Sequence, residues 1–218
     1  MYDAVVLDSD GVLVGLSGRA TLARAVDRTY RAFGVTPDEA DRAALWVGTD
    51  PGDVRRAAAR HGLDAETVWA TRDRTVSRVE RAAIRAGEKP LHDDAAVLSR
   101  LSLPLGVASN NLRTTVAAVL DGHGLRDRVA SVQAREPRLA SLADRKPDPT
   151  LLTRALDGLG VAPDRALFVG DGASDVRAAA RAGVDAALLA RPGHDPVEGV
   201  DPTHTITTLA ALPDLVDG

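Results

Sequence analysis

The sequence predicts a doubly wound α/β fold, a Rossmann-like parallel sheet flanked by helices, with an all-helical segment inserted after the first strand. Three observations lead there. Short continuous apolar runs each end in polar residues, stretches of helical periodicity separate those runs, and residues 15–87 carry helical periodicity with no strand-like run at all.

The apolar runs are AVVL at 4–7, LGVA at 105–108, ALFV at 166–169 and AALL at 186–189. They are continuous rather than alternating, as expected for parallel strands buried on both faces. Helical spacing follows over 94–101, 112–123, 149–159 and 174–182, the last two closed by Gly160 and Gly183 where a left-handed cap belongs. Within 15–87, Leu22, Val26, Tyr30 and Phe33 recur at helical spacing, as do Val68, Thr75, Val76 and Val79. Helix starts are read at Thr36-Pro37-Asp38-Glu39, as a capping box with proline at the first helical position, and at Asp50-Pro51. The plan is a core of residues 1–14 and 88–218 and a helical cap of residues 15–87, with the chain crossing near Val14 and Lys89. Residues 134–145 pattern weakly and are read as a loop, and Asp148 before Pro149 as a helix N-cap.

Composition narrows the function. A chain of 218 residues with 44% hydrophobic residues can bury a large core. A net charge of −4 and only 3% aromatic residues disfavour nucleic-acid binding, which needs a basic footprint and stacking platforms. With no cysteine there is no disulfide, thiolate metal site or cysteine nucleophile. Acidic residues arrive within the first ten positions, too early for a signal peptide, and no run approaches the roughly 20 apolar residues of a membrane span. The expectation is a soluble cytoplasmic protein that works away from membranes. Lys89 and Lys146 are the only two lysines, against 25 arginines, so a lysine here is a rare choice.

Four polar clusters carry the chemistry: Asp8-Ser9-Asp10-Gly11, Ser109-Asn110-Asn111, Lys146-Pro147-Asp148-Pro149, and Gly170-Asp171 through Asp175. Three lie at carboxyl ends of predicted strands, where an open α/β sheet forms its ligand crevice. A D-x-D-G string alone arises by chance about 0.25 times in a chain this rich in aspartate and glycine, so the ordered set is the signal. If the substrate is a phosphate ester, Asp8 can attack phosphorus and form an aspartyl phosphate. Two anions then approach each other, which calls for a hard divalent cation, Mg²⁺, on the carboxylates of Asp8 and Asp171. Asp10, two residues on along an extended chain, shares a face with Asp8 and suits the acid/base. Ser109, Asn110 and Lys146 offer donors to the phosphoryl group, and Asp175 can hold Lys146 or a metal-bound water.

These four elements in this order resemble the haloacid dehalogenase (HAD) superfamily, in its phosphoglycolate-phosphatase-like branch with a helical cap. The resemblance covers nearly the whole chain and implies a small phosphorylated metabolite as substrate. It implies Asp8 as nucleophile, Asp10 as acid/base with its backbone carbonyl on Mg²⁺, Gly11, Ser109, Asn110 and Lys146 around the phosphoryl group, and Asp171 on the metal. Asp10 speaks against dehalogenation, since the dehalogenase branch lacks this second aspartate. Ser9, Val12 and Val14-Gly15-Leu16 depart from the family pattern without touching that set.

Two rival functions stand beside the phosphatase. One is a phosphomutase of the β-phosphoglucomutase type, whose fourth motif resembles glutamate-aspartate where this chain has Gly170-Asp171; the other is a catalytically silent interaction module. The arginine-rich run 72–85 is read as a solvated helix face, and Trp46 and Trp69 as packing in the cap. His61, His92, His123, His194 and His204 show no i,i+4 pair and are given no catalytic role.

Overall fold

The computed structural model describes residues 1–46, 49–193 and 195–217, so His194 lies outside the described residues, as do Val47, Gly48 and Gly218 within the predicted domain spans. Strand β1 (Ala4–Leu7) is followed by four helices, α1 (Arg19–Arg31), α2 (Glu39–Ala44), α3 (Pro51–Arg60) and α4 (Ala65–Arg85), with no strand among the described residues between 15 and 87. Then come β2 (Leu105–Leu112), α5 (Arg113–Gly122), β3 (Val129–Arg135), α6 (Thr150–Leu159), β4 (Ala166–Gly170), α7 (Ala173–Ala182), β5 (Asp185–Leu189), β6 (His204–Ile206) and α8 (Leu212–Asp217).

The six strands pair in the order β3-β2-β1-β4-β5-β6, every pair parallel. From β1 the chain builds outward first through β2 and β3, then on the other side through β4, β5 and β6. The reversal point therefore lies at β1, and the crevice beyond the carboxyl ends of β1, β2 and β4 is where such a sheet binds ligands.

The period of two in side-chain direction places alternate residues of each strand in different cores. Val5, Leu7, Val107, Leu167 and Val169 face a core closed by Val116 and Leu120 of α5 and by Leu209, Leu212 and Val216. Val6, Ala108, Phe168 and Leu188 face a second core closed by Leu152 and Leu156 of α6 and Val176 of α7. The helical segment has its own cluster, including Val26, Tyr30, Val54, Val68 and Trp69. Its entry and exit lie side by side, because Val14 bridges Leu91 in antiparallel fashion. Among the described residues no helix is long and apolar enough to cross a membrane.

The sequence reading needs correction in five places. Residues 134–145 are not simply a loop: β3 runs to Arg135, and a 3₁₀ turn over Leu139–Leu142 inserts Leu139 and Leu142 into the helical cluster. The helix read at 94–101 is a 3₁₀ turn over Asp93–Ser99, and the helix read from 112 begins at Arg113 because β2 extends to Leu112. The capping box of α2 is formed by Asp38 and Asp41, so Thr36 is not the cap and Pro37 lies outside the helix. Asp148 accepts from the Thr150 amide at 2.9 Å, with Pro149 rather than Asp148 at the N-cap of α6. Asp50 caps α3 with Pro51 in the first turn, and Gly160 and Gly183 close α6 and α7 at φ 68° and 70°, all as read.

Candidate active site

Asp8 follows the last residue of β1, Asp171 follows the last residue of β4, and Ser109 lies on β2 where its pairing with β3 shifts register. Such an irregularity re-aims side chains at a strand end. All three line one cavity of about 660 Å³, together with Asp10, Lys146 and Asp175. That volume is in the range of about 300–1,000 Å³ common for small-molecule sites.

Lys146 organises the floor. The residue is buried, and its ammonium lies 2.8 Å from Asp8 Oδ2 and 2.7 Å from Asp175 Oδ1 and donates to the Ala108 carbonyl at 3.0 Å. The peptide between Lys146 and Pro147 is cis. Asn110 clamps the Lys146 backbone from both sides: its Oδ1 accepts from Lys146 N at 2.8 Å and its Nδ2 donates to Lys146 O at 3.2 Å. The side-chain amide of Asn110, expected to face phosphate, is thereby committed to positioning Lys146. Asp175 is held at its other oxygen by the Gly172 amide at 2.9 Å.

Burial sets the electrostatics. It pushes the Asp8 carboxyl up to about 7, with nearby Asp175 and Asp10 adding to the effect and Lys146 opposing it. Burial likewise pushes Asp171 up to about 6, aided by Asp175 and again opposed by Lys146. Burial also works against the charged form of Lys146, yet the Asp175 and Asp8 carboxylates outweigh it and hold Lys146 above the ordinary lysine value. Three carboxylates thus surround one ammonium, and oxygens of Asp8, Asp171 and Asp175 all lie within 4.8 Å of one another. A compact set of hard oxygen donors with excess negative charge suits a small divalent cation such as Mg²⁺. Asp8, Asp171 and Asp175 are the side chains whose oxygens could hold it. Gly11 makes room for this arrangement: its φ of +79° favours glycine, and a Cβ there would collide with the Asp171 carboxylate.

Asp10 is gripped by residues the sequence reading did not assign to the site. Its Oδ1 lies 2.5 Å from Lys89 Nζ and its Oδ2 accepts from Asn111 Nδ2 at 2.7 Å. Lys89 and Asn111 both reach on to Glu80 of α4, at 3.3 and 3.1 Å, and Ser17 donates to the same carboxylate. This network ties the helical segment to the acid/base candidate. Lysine scarcity was the available signal, because it marks Lys89 as strongly as Lys146. Nothing local in the sequence marks Glu80, which approaches from 70 residues away.

The turn after Asp10 is braced from the far end of the sheet. Arg191 donates to the carbonyls of Gly11 at 3.2 Å and Val12 at 3.0 Å while forming a two-pronged pair with Asp94 at 2.8 and 3.0 Å. Burial acts to raise the Asp94 carboxyl, but donors from Arg191, Leu209 and Thr208 prevail and hold it at about 2. A folded value below the unfolded one contributes stability that is present above about pH 4 and lost as pH falls toward 2. Asp94→Asn is expected to reduce stability at pH 7 by about 1–2 kcal/mol and to flatten the acid limb below about pH 4. Urea unfolding at pH 7, 4 and 3 checks this; an unchanged acid limb would refute it.

The arginine-rich run is not only a solvated face. Arg72 is buried, donating to the Leu45 carbonyl at 3.0 Å and to Asp73 at 3.0 Å. Trp69 does pack in the helical cluster, and it also borders the cavity alongside Trp46. The described histidines stay outside the site: His61 pairs with Asp41, His123 with the Lys89 carbonyl and His204 with Tyr2.

The chain is similar to known proteins over most of its length. The family of haloacid dehalogenase-like hydrolases matches over residues 2–183. A phosphoglycolate phosphatase of Rhodospirillum rubrum is 32% identical over 230 residues, covering 98% of this chain and 90% of its own length. A phosphoglycolate phosphatase of Chromobacterium violaceum is 29% identical over 219 residues, covering 98% and 96%. The crystal structure of CbbY from Rhodobacter sphaeroides in complex with phosphate is similar with a TM-score of 0.71 at 25% identity, covering 97% of this chain and 96% of that one. A mutant of CbbY in complex with xylulose-(1,5)-bisphosphate gives the same TM-score of 0.71, with the same identity and coverage.

Proposed function

The chain belongs to the haloacid dehalogenase-like hydrolases and is a phosphoric monoester hydrolase, and from this premise we propose that it is a Mg²⁺-dependent phosphatase working through an aspartyl phosphate on Asp8. The observation that carries this reading is the meeting of Asp8 with the Lys146 ammonium at 2.8 Å, beside Asp171, at the reversal point of the sheet. The substrate is a small monoester of the phosphoglycolate or sugar phosphate class, and helices α1–α4 serve as a cap over the cavity they help to line. The compartment is the cytoplasm.

In the first step an Asp8 oxygen attacks phosphorus, the bond from phosphorus to the ester oxygen breaks, and Asp10 gives its proton to the departing alcohol. In the second, Asp10 takes a proton from water, the water oxygen attacks phosphorus, and cleavage of the acyl phosphate returns Asp8 and releases inorganic phosphate. Lys146 and the Ser109 hydroxyl donate to the phosphoryl oxygens, whose negative charge is spread in both transition states. Asp175 and Asn110 position Lys146, while Lys89 and Asn111 orient the Asp10 carboxylate. Side chains of Asp8 and Asp171, with the Asp10 backbone carbonyl, would hold Mg²⁺. When bound, the cation offsets repulsion between the Asp8 carboxylate and the phosphate anion.

The mutase reading has a structural obstacle. Any side chain at Gly170 would run into Asp175, so the glutamate of the mutase pattern does not fit there without displacing a partner of Lys146. Purified protein with Mg²⁺ is expected to release phosphate from at least one member of a panel of sugar and small-acid phosphates, with activity lost in EDTA and restored by Mg²⁺. Isomerisation of a sugar 1-phosphate with slow phosphate release would instead identify a mutase, and activity unaffected by EDTA would overturn the metal requirement.

A further inference from the structure

Helix α4 has two chemically different faces. One carries Asp73, Ser77 and Glu80, all buried, on a single stripe at helical spacing, and bonds Arg135, Thr115 and Lys89 of the core at 3.2, 2.8 and 3.3 Å. The other presents Arg74 and Arg78, with Thr71 and Thr75, toward α1, where Arg28 completes a groove of about 330 Å³. This groove shares no lining residue with the catalytic cavity.

Three guanidinium groups line the groove and no carboxylate does. Among the described residues, the side chains of Arg28, Arg74 and Arg78 form neither an ion pair nor a hydrogen bond. The acids of the same two helices are committed elsewhere. Helices α1 and α4 hold nine arginines and four acidic residues. Asp27 pairs with Arg42 at 2.8 Å, Glu66 accepts from the Leu139 amide at 3.1 Å, Asp73 is held by Arg72 and Arg135, and Glu80 by Lys89 and Asn111.

Helical spacing compounds the charge. Arg24 with Arg28, and Arg74 with Arg78, stand at i,i+4, where a carboxylate would stabilise and a like charge repels. Arg31 and Arg81 follow these pairs three residues on, in a chain whose net charge is −4. A multivalent anion in the groove would meet guanidinium groups of both helices at once and offset the repulsion between them.

The lining selects the kind of anion. Guanidinium forks match phosphoryl oxygens two at a time, and the Thr71 hydroxyl adds a neutral donor, while that of Thr75 is used on the Thr71 carbonyl at 2.7 Å. No aromatic ring lines the groove to stack on a base. Among the described residues the exposed large apolar side chains are Met1 and Leu16, neither of them in the groove, so a lipid surface finds no apolar anchor there.

We propose that the groove between α1 and α4 is a binding site for a short linear chain of linked phosphoryl groups, separate from the catalytic site. The proposal does not depend on the phosphatase reading. Inorganic polyphosphate and the polyphosphate arm of a nucleotide share this chemistry.

The test uses the full chain in EDTA, which keeps the acidic catalytic floor free of metal. Tripolyphosphate, ATP and sulfate are titrated by calorimetry at equal ionic strength. Tripolyphosphate is expected to bind about tenfold or more tighter than sulfate and to raise the melting temperature. ATP binding like tripolyphosphate would extend the site to nucleotides, and ATP binding like sulfate would restrict it to the inorganic chain. In the double variant Arg74→Gln, Arg78→Gln the affinity for tripolyphosphate should fall by about tenfold to hundredfold. The double variant Arg100→Gln, Arg126→Gln loses the same charge at exposed positions outside the groove and should bind as the wild type does. All four positions are exposed, so both variants are expected to fold, which circular dichroism checks. Tripolyphosphate binding no tighter than sulfate, an equal loss in both double variants, or tighter binding of an oligothymidylate of matched charge would overturn the site.

Discussion

Asp8→Asn is expected to lower phosphate release by about 10⁴-fold or more while leaving the protein folded. The loss follows from chemistry, because an amide oxygen is too poor a nucleophile to form the acyl phosphate that divides the reaction into two displacements. The retained fold follows from burial. Asp8 lies where burial already pushes its carboxyl up to about 7, so its charge is a burden to the folded state rather than a support. An asparagine there can still accept from the Ser9 amide, which lies 2.7 Å from Asp8 Oδ1, and Lys146 keeps Asp175 as its partner. Rapid quenching of wild-type turnover should trap a phosphorylated protein that the variant does not form. Substantial turnover by Asp8→Asn would rule out the aspartyl-phosphate route.

Lys146→Met is expected to damage both stability and activity. The ammonium is the cation common to Asp8 and Asp175, and its removal leaves two buried carboxylates uncompensated beside Asp171. Breaking one side of a buried ionic cluster costs about 3–5 kcal/mol, which in a chain of this size lowers the melting temperature by roughly 10 °C. Activity should fall by a further factor of about 10²–10³ from loss of a donor to the phosphoryl group. The two effects separate in a double variant. Adding Asp175→Asn to Lys146→Met removes one stranded charge, so stability should partly return while turnover does not. Thermal unfolding without metal, beside phosphate release with Mg²⁺, reads both. A single variant as stable as the wild type would contradict the assigned role of Lys146 in the floor.

Much of this architecture was legible because burial leaves a mark in sequence. The four strands read from apolar runs are β1, β2, β4 and β5, the interior of the sheet, where both faces exclude water and the buried stretch of each strand is apolar. The two that escaped, β3 and β6, are the edges. β3 reads VASVQAR, and at this edge of the sheet Val129, Ala130, Val132 and Gln133 keep contact with solvent, so no continuous apolar run is required. Weak patterning in 134–145 had the same origin: Leu139 and Leu142 are buried against the helical segment, a partner distant in sequence.

The candidate site divides along the same line. Asp8, Asp10, Ser109 and Asp171 stand just after or within the ends of apolar runs, so their convergence followed once a doubly wound sheet was inferred. Asp175 shares a helix start with Asp171, and Lys146 stood out by its rarity. Contacts between remote segments left no comparable trace: Lys89 and Glu80 on Asp10, Arg191 on the turn after Asp10, and Arg135 on Asn110. Arginine is common in this chain, so abundance concealed those that are buried.

Sequence by itself determined the sheet interior, the inserted helices and the acids at the strand ends, because backbone periodicity and the exclusion of water from a core act on neighbouring residues and are written locally. Only tertiary structure decided which cation meets which carboxylate and that arginines of two helices converge on one groove. Coulomb energy and desolvation depend on distance and burial in space, and residues 80 or 180 positions apart acquire both only when the chain has folded.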